Sequence, residues 1–162
     1  MKNIKFYLPI LMLLSLMVSC SDEDVTETSE LEMVSSTEEM TISEEILTLV
    51  NEHRESIGLS ELENNETAAE LAKAHTAYMI SINEINHDGF NNRIVVLQEE
   101  ENARFFAENV AKFQSGAATV LDSWLNSEDH KKNIEGDYTH SGVAALKDED
   151  GRLYFTQIFL KK

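Results

Sequence analysis

A carboxylate and an amide stand side by side in an apolar run, Ala107-Glu108-Asn109-Val110-Ala111. His130 follows 22 residues after Glu108, too far along the chain to share adjacent turns of one helix with it. A third candidate, His87, lies in the turn-rich stretch Ile85-Asn86-His87-Asp88-Gly89-Phe90, and loops on a rigid scaffold are where chemistry tends to sit. Two imidazoles and a carboxylate from three separate segments form the donor set of an open zinc site, with one position left for water. A metal so held can acidify that water into a nucleophile. The metal-free alternative is that Glu108 accepts hydrogen bonds from both imidazoles and locks the site, since a buried acid needs such partners. With Glu108 used as a ligand no general base stands out, and there is no His-Glu-x-x-His run. Ser127 and His130 also stand at the i, i+3 spacing of one helical face, but Ser127 is where a helix cap belongs, with its hydroxyl turned to backbone N–H groups. Asn109 and Gln157 are amides among apolar residues, placed to hold the walls of the site.

The elements that must bring these residues together are legible in order. Ile46, Leu47, Val50 and Ile57 recur at helical spacing, with Thr41 or Ser43 as the cap and Gly58 as the stop. Asn65 caps a second helix over about 66–83, with Ala68, Leu71, Ala72, His75, Tyr78, Met79 and Ile82 as its inward stripe. His75 reads as a satisfied core histidine and His53 as a packed or half-exposed one. Ile94 to Leu97 suggests one helical turn and Gln98 to Asn102 a charged loop. Part of Ala103 to Phe113 is a strand, and Ala117 to Asn126 a helix with Trp124, the only tryptophan, inward. Ser127 caps a short helix over 128–133. His140 to Leu146 and Arg152 to Leu160 form a hairpin around Asp148–Gly151, with His140 solvated at the start of an edge strand. The order predicts an α/β fold, a small and mostly antiparallel sheet with helices on both faces.

The 162 residues divide into three parts. Residues 1–19 read as an export leader: Lys2 and Lys5, then an apolar run from Phe6 to Val18 too short to span a bilayer comfortably. Met17-Val18-Ser19-Cys20 resembles a bacterial lipobox, which implies cleavage before Cys20 and lipidation of its thiol. Cys20 is the only cysteine, so the domain beyond it is stable without disulfides. Residues 20–42 form an acidic tether; 21–42 hold eight acids and no base, and cannot bury enough apolar surface to offset their ordering entropy. Ser21-Asp22-Glu23-Asp24 resembles a surface-export signal of Bacteroidota lipoproteins. A net charge of −17 argues against nucleic acid as a partner, and anchoring falls to the lipid rather than to attraction to an anionic membrane.

Residues 43–162 resemble the CAP superfamily (cysteine-rich secretory proteins, antigen 5 and pathogenesis-related 1), in its short bacterial, SCP-like branch. The resemblance rests on five pieces in family order. They are Leu49-Val50-Asn51-Glu52-His53-Arg54; Asn86 to Phe90 with Arg93; Ala107 to Ala111; Trp124-Leu125-Asn126-Ser127 with His130 and Asn133-Ile134; and Tyr154 to Phe159. It implies a three-layer α-β-α sandwich with a cleft where two histidines and acids converge around a divalent cation such as Zn²⁺. His87, Glu108 and His130 match that set. Ser127 stands where animal members carry a second acid. Three functions follow: an exported, lipid-anchored binding module for a protein, peptide or glycan; a metal-dependent hydrolase of peptides or envelope polymers; and a lipid binder. The first is the reading carried forward, since the family has no single agreed reaction.

Overall fold

The computed structural model describes residues 42–162. The leader, the lipidation at Cys20, the tether and the capping position Thr41 lie outside the described residues. Helix α1 covers 42–56. It is followed by β1 (Glu63–Asn64), α2 (Glu66–Ile82), α3 (Phe90–Glu101) and β2 (Phe105–Lys112). The chain then forms α4 (Ala117–Leu125), α5 (Glu128–Ile134), β3 (His140–Lys147) and β4 (Leu153–Lys161). The sheet order is β1-β3-β4-β2; β1 runs parallel to β3 and the other pairings are antiparallel.

Strand alternation sorts the core into two faces. Ala107 and Ala111, Val143 and Ala145, and Phe155 and Phe159 pack with Ile46 and Val50 of α1, Val120, Leu121 and Trp124 of α4, and Ile134 of α5. On the other face Ala144, Ile158 and Leu160 meet Ala68 and Ala72 of α2 and Leu97 of α3, and Val110 and Tyr154 meet Met79. The result is the expected three-layer α-β-α sandwich. The alanines of α2 let it approach the sheet closely. A Cβ built on Gly142 would lie 2.2 Å from Ala69 N and 2.3 Å from Ala68 C, so only glycine fits beneath that helix.

Two polar anchors fix the layers. Asn65 caps α2, its Oδ1 accepting from Ala68 N at 2.8 Å. Arg54, buried at the end of α1, donates to the carbonyls of Ser60 (2.8 Å), Ile134 (2.6 Å), Gly136 (3.0 Å) and Tyr138 (3.4 Å). It thereby ties α1 to the chain leaving α5.

Several local expectations are corrected. Phe90 to Glu101 is one continuous helix rather than a turn and a loop. Its buried positions are only Arg93 and Leu97, so the apolar stripe is a single i, i+4 pair and leaves little periodicity to read. Ser43 lies inside α1, and its hydroxyl accepts from Ala145 N at 3.1 Å instead of capping. Ile57, Tyr78 and Ile82 are exposed: Ile57 lies past the end of α1, Ile82 is the last residue of α2, and Tyr78 donates its hydroxyl to Asp88 at the surface while Met79 beside it packs on the sheet. His140 is mostly covered and sits 3.7 Å from Glu63, since β1 flanks the first two residues of β3. His53 is half-buried and bonded to Glu135 at 3.0 Å, as a packed helix histidine would be.

Candidate functional site

The site is built around the outer edge of β2. Glu108 points to the α2–α3 face, and its side chain is only 1% exposed. Arg93 clamps it, with Nε donating to Oε2 and Nη2 to Oε1, each at 2.8 Å. Nη1 of Arg93 donates to Asp88 O at 2.8 Å, which fixes the guanidinium against the loop before α3. His87 adds a third bond to the carboxylate, Nδ1 to Oε1 at 2.7 Å. Since an ionised carboxylate only accepts, Nδ1 donates in this bond, and Nε2 is the ring nitrogen left for another partner.

That ring is held by its loop. α2 ends at Asn83 in the left-handed conformation (φ 55°), and Asn86 Oδ1 accepts from Asp88 N at 2.9 Å in an Asx turn. Gly89 (φ 71°) then opens α3, a backbone angle that glycine adopts without strain. His75, buried on α2, donates from Nε2 to Asn86 O at 2.8 Å and stands 3.8 Å from Glu108 Oε1. The loop is therefore fastened to the helix behind it.

The opposing wall comes from the other face of the sheet. Asn109 Nδ2 donates to His130 O at 3.1 Å, and its Oδ1 accepts from Asn133 Nδ2 at 2.9 Å. Asn133 Nδ2 also lies 3.4 Å from Glu108 O, and Trp124 Nε1 donates to Val110 O at 3.3 Å. These carbonyls are the outward-facing groups of the edge strand, so α4 and α5 cover an edge that would otherwise be open. His130, carried by α5 on this side, lies within electrostatic reach of His87.

The electrostatics favour an ionised Glu108 and neutral His75 and His130. Burial by itself pushes the Glu108 carboxyl up, but hydrogen bonds from His87 and Arg93 and the Arg93 charge outweigh it and hold it below the usual carboxylate range. His130 is pushed down by burial first and by His87 second. His75 is pushed down by burial, against the opposing pull of its bond to Asn86.

The sequence-derived residues thus separate into roles. His87 and Glu108 are in direct contact, and His130 faces them across the β2 edge. Among the described residues no three His, Cys, Asp or Glu side chains converge as a metal-holding group. Both oxygens of Glu108 are engaged by Arg93 and His87, which leaves His87 Nε2 and the His130 ring as the donors without a hydrogen-bond partner among the described residues. Glu108, with both oxygens engaged, stands behind His87 as a hydrogen-bond acceptor. Asn109 ties β2 to α5 through His130 O and Asn133 Nδ2. Ser127 opens α5 through its backbone, but its hydroxyl makes no capping bond. Its N–H closes α4 on Trp124 O at 3.1 Å while its carbonyl accepts from Lys131 N, so the backbone alone joins the two helices. No hydrogen bond joins Ser127 to His130. Gln157 lies opposite Asn109 in register but bonds Ser141 Oγ at 3.1 Å, toward the sheet centre. Three participants are not among the sequence-derived site residues: Arg93, His75 and Asn133. Arg93 stood in the sequence as a basic residue three positions after Phe90, without a pattern that pairs it with Glu108.

The fold defines the class. Residues 47–159 match the CAP family, described as the cysteine-rich secretory protein family, and the chain belongs to it. An uncharacterized membrane protein of Bacillus subtilis, YlbC, is 33% identical over 126 residues, covering 75% of this chain and 35% of its own. An extracellular protein of Bacillus anthracis containing an SCP domain superposes with a TM-score of 0.67 at 29% identity, over 76% of this chain and 41% of that one. An outer surface protein of Borrelia burgdorferi gives 0.65 at 25% identity, over 72% and 89%. The chain spans about a third of the length of the Bacillus subtilis relative.

Proposed function

We propose that the chain is an exported, lipid-anchored binding module of the cell envelope, in which His87 and His130 hold a divalent cation such as Zn²⁺ at a cleft for a protein, peptide or glycan ligand. The leader and Cys20 support export and anchoring, and relatives named as membrane and outer surface proteins agree with it. The observation that carries the cleft reading is the orientation of His87. A buried, charge-clamped carboxylate fixes its Nδ1–H, which leaves Nε2 as the open nitrogen of a half-exposed ring. Burial favours the neutral form of the His130 ring, the form that binds metal. A bound cation would supply a Lewis-acidic point for a ligand oxygen. The chain's own residues orient and insulate it: Arg93 neutralises Glu108, Asn109 and Asn133 hold α5 in place, and His75 fastens the loop.

The test is thermal melting with and without Zn²⁺, beside His87→Gln and His130→Gln. At about 100 times its dissociation constant a ligand adds roughly 2.7 kcal/mol. At about 0.25 kcal/mol per degree for a domain this size, the midpoint rises by about 10 °C. Both variants lose that rise. A wild type unmoved by Zn²⁺, with both variants merely less stable, would make the cluster a structural lock and end the cation reading.

A further inference from the structure

We propose that the opposite edge of the sheet, the outer edge of β3 in the groove between α1 and α2, takes an extended basic peptide as an added β-strand. β1 covers only His140 and Ser141. Asn65 N donates to Ser141 O at 2.9 Å and Ala145 N to Ser43 Oγ at 3.1 Å, so alternate residues of β3 present their backbone groups outward. That alternation turns the N–H and C=O of Val143 into the groove, where among the described residues nothing bonds them. An open edge with free backbone groups is a template for strand pairing.

The surroundings restrict what can pair. The groove has a volume of about 530 Å³, with Leu47 of α1 on one side, Ala69 of α2 on the other and Val143 to Ala145 as its floor. The two helices stand as walls over opposite faces of the sheet, so one extended chain fits between them and a second sheet does not. Its alternate side chains would turn to α1 and α2. The rim is acidic: Glu44 from α1, and Glu66 and Glu70 from α2, are exposed and have no ion pair among the described residues, against one base, Lys73. Glu66 and Glu70 repel each other at i, i+4, a cost that cationic side chains would relieve. Residues 21–42 of the chain, with eight acids and no base, carry the wrong charge for this rim.

The test uses the full chain and a synthetic peptide of alternating Lys and Val, with its Glu–Val counterpart as control. Binding is read by fluorescence anisotropy, and the site by hydrogen exchange of the Val143 amide. The Lys–Val peptide should bind at least tenfold more tightly than the Glu–Val peptide and slow Val143 exchange at least tenfold. The double variant Glu66→Lys/Glu70→Lys, altered only at exposed positions, should lose at least tenfold in affinity while its melting midpoint holds. Unchanged exchange at Val143 under saturating peptide would overturn the proposal, as would unchanged affinity in the double variant. A Val143 amide already protected in the free chain, and released on deleting residues 21–41, would overturn it in favour of the chain's own segment.

Discussion

Replacing Arg93 with methionine keeps much of the side-chain volume and removes the guanidinium. Glu108, 1% exposed, then loses both Arg93 hydrogen bonds and keeps one from His87. Breaking a buried pair from one side costs about 3–5 kcal/mol. The surviving His87 bond places this case near 3. With a melting entropy of about 2.1 cal/mol/K per residue over the described domain, that is roughly 12 °C in midpoint. The pH dependence makes the test specific. In the wild type the Glu108 pKa is lowered, so its contribution is complete above the ordinary carboxylate value and is lost as pH falls through that value toward the folded one. In Arg93→Met burial dominates, the carboxyl is raised instead, and protonation relieves the variant. The gap between the two proteins should therefore be widest near pH 7.5 and narrow toward pH 5, followed by circular dichroism melts in both buffers. Adding Glu108→Gln to Arg93→Met should recover part of the loss at pH 7.5. A gap below about 1 kcal/mol at pH 7.5, or one that widens in acid, would refute the account of Arg93 as the group that makes Glu108 tolerable.

Gly142→Ala should destabilise by at least about 1–3 kcal/mol, since its Cβ meets backbone atoms of α2 rather than a movable side chain; urea unfolding reads this directly. Arg54→Met leaves the carbonyls of Ile134, Gly136 and Tyr138 without their donor and should cost about 3 kcal/mol, with faster hydrogen exchange after α5 as the local sign. Burial lowers the pKa of both His75 and His130, so the stability they allow is complete above about pH 6.5 and is lost as pH falls below it. His130→Gln should flatten that part of the stability profile while leaving the loss through the carboxylate range in place.

Much of this protein is written in local sequence. The Asn65 cap, the alanine face of α2 and the C-terminal hairpin depend on neighbours in the chain, and their patterns are complete within a dozen or so residues. The family's pieces fall in order along the chain, which is why His87, Glu108 and His130 could be named without coordinates. Tertiary structure decided the rest, because it turns on pairs distant in sequence. Arg93 matters only because α3 brings it against β2, and a helix held by two buried residues leaves no periodic trace. Glu108 and His130 lie on opposite faces of one edge strand, a relation fixed by pairing with β4 and by the carbonyl contacts of Asn133 and Trp124. Whether Glu108 is a ligand or an anchor follows from charge saturation, and only the fold counts the donors around it.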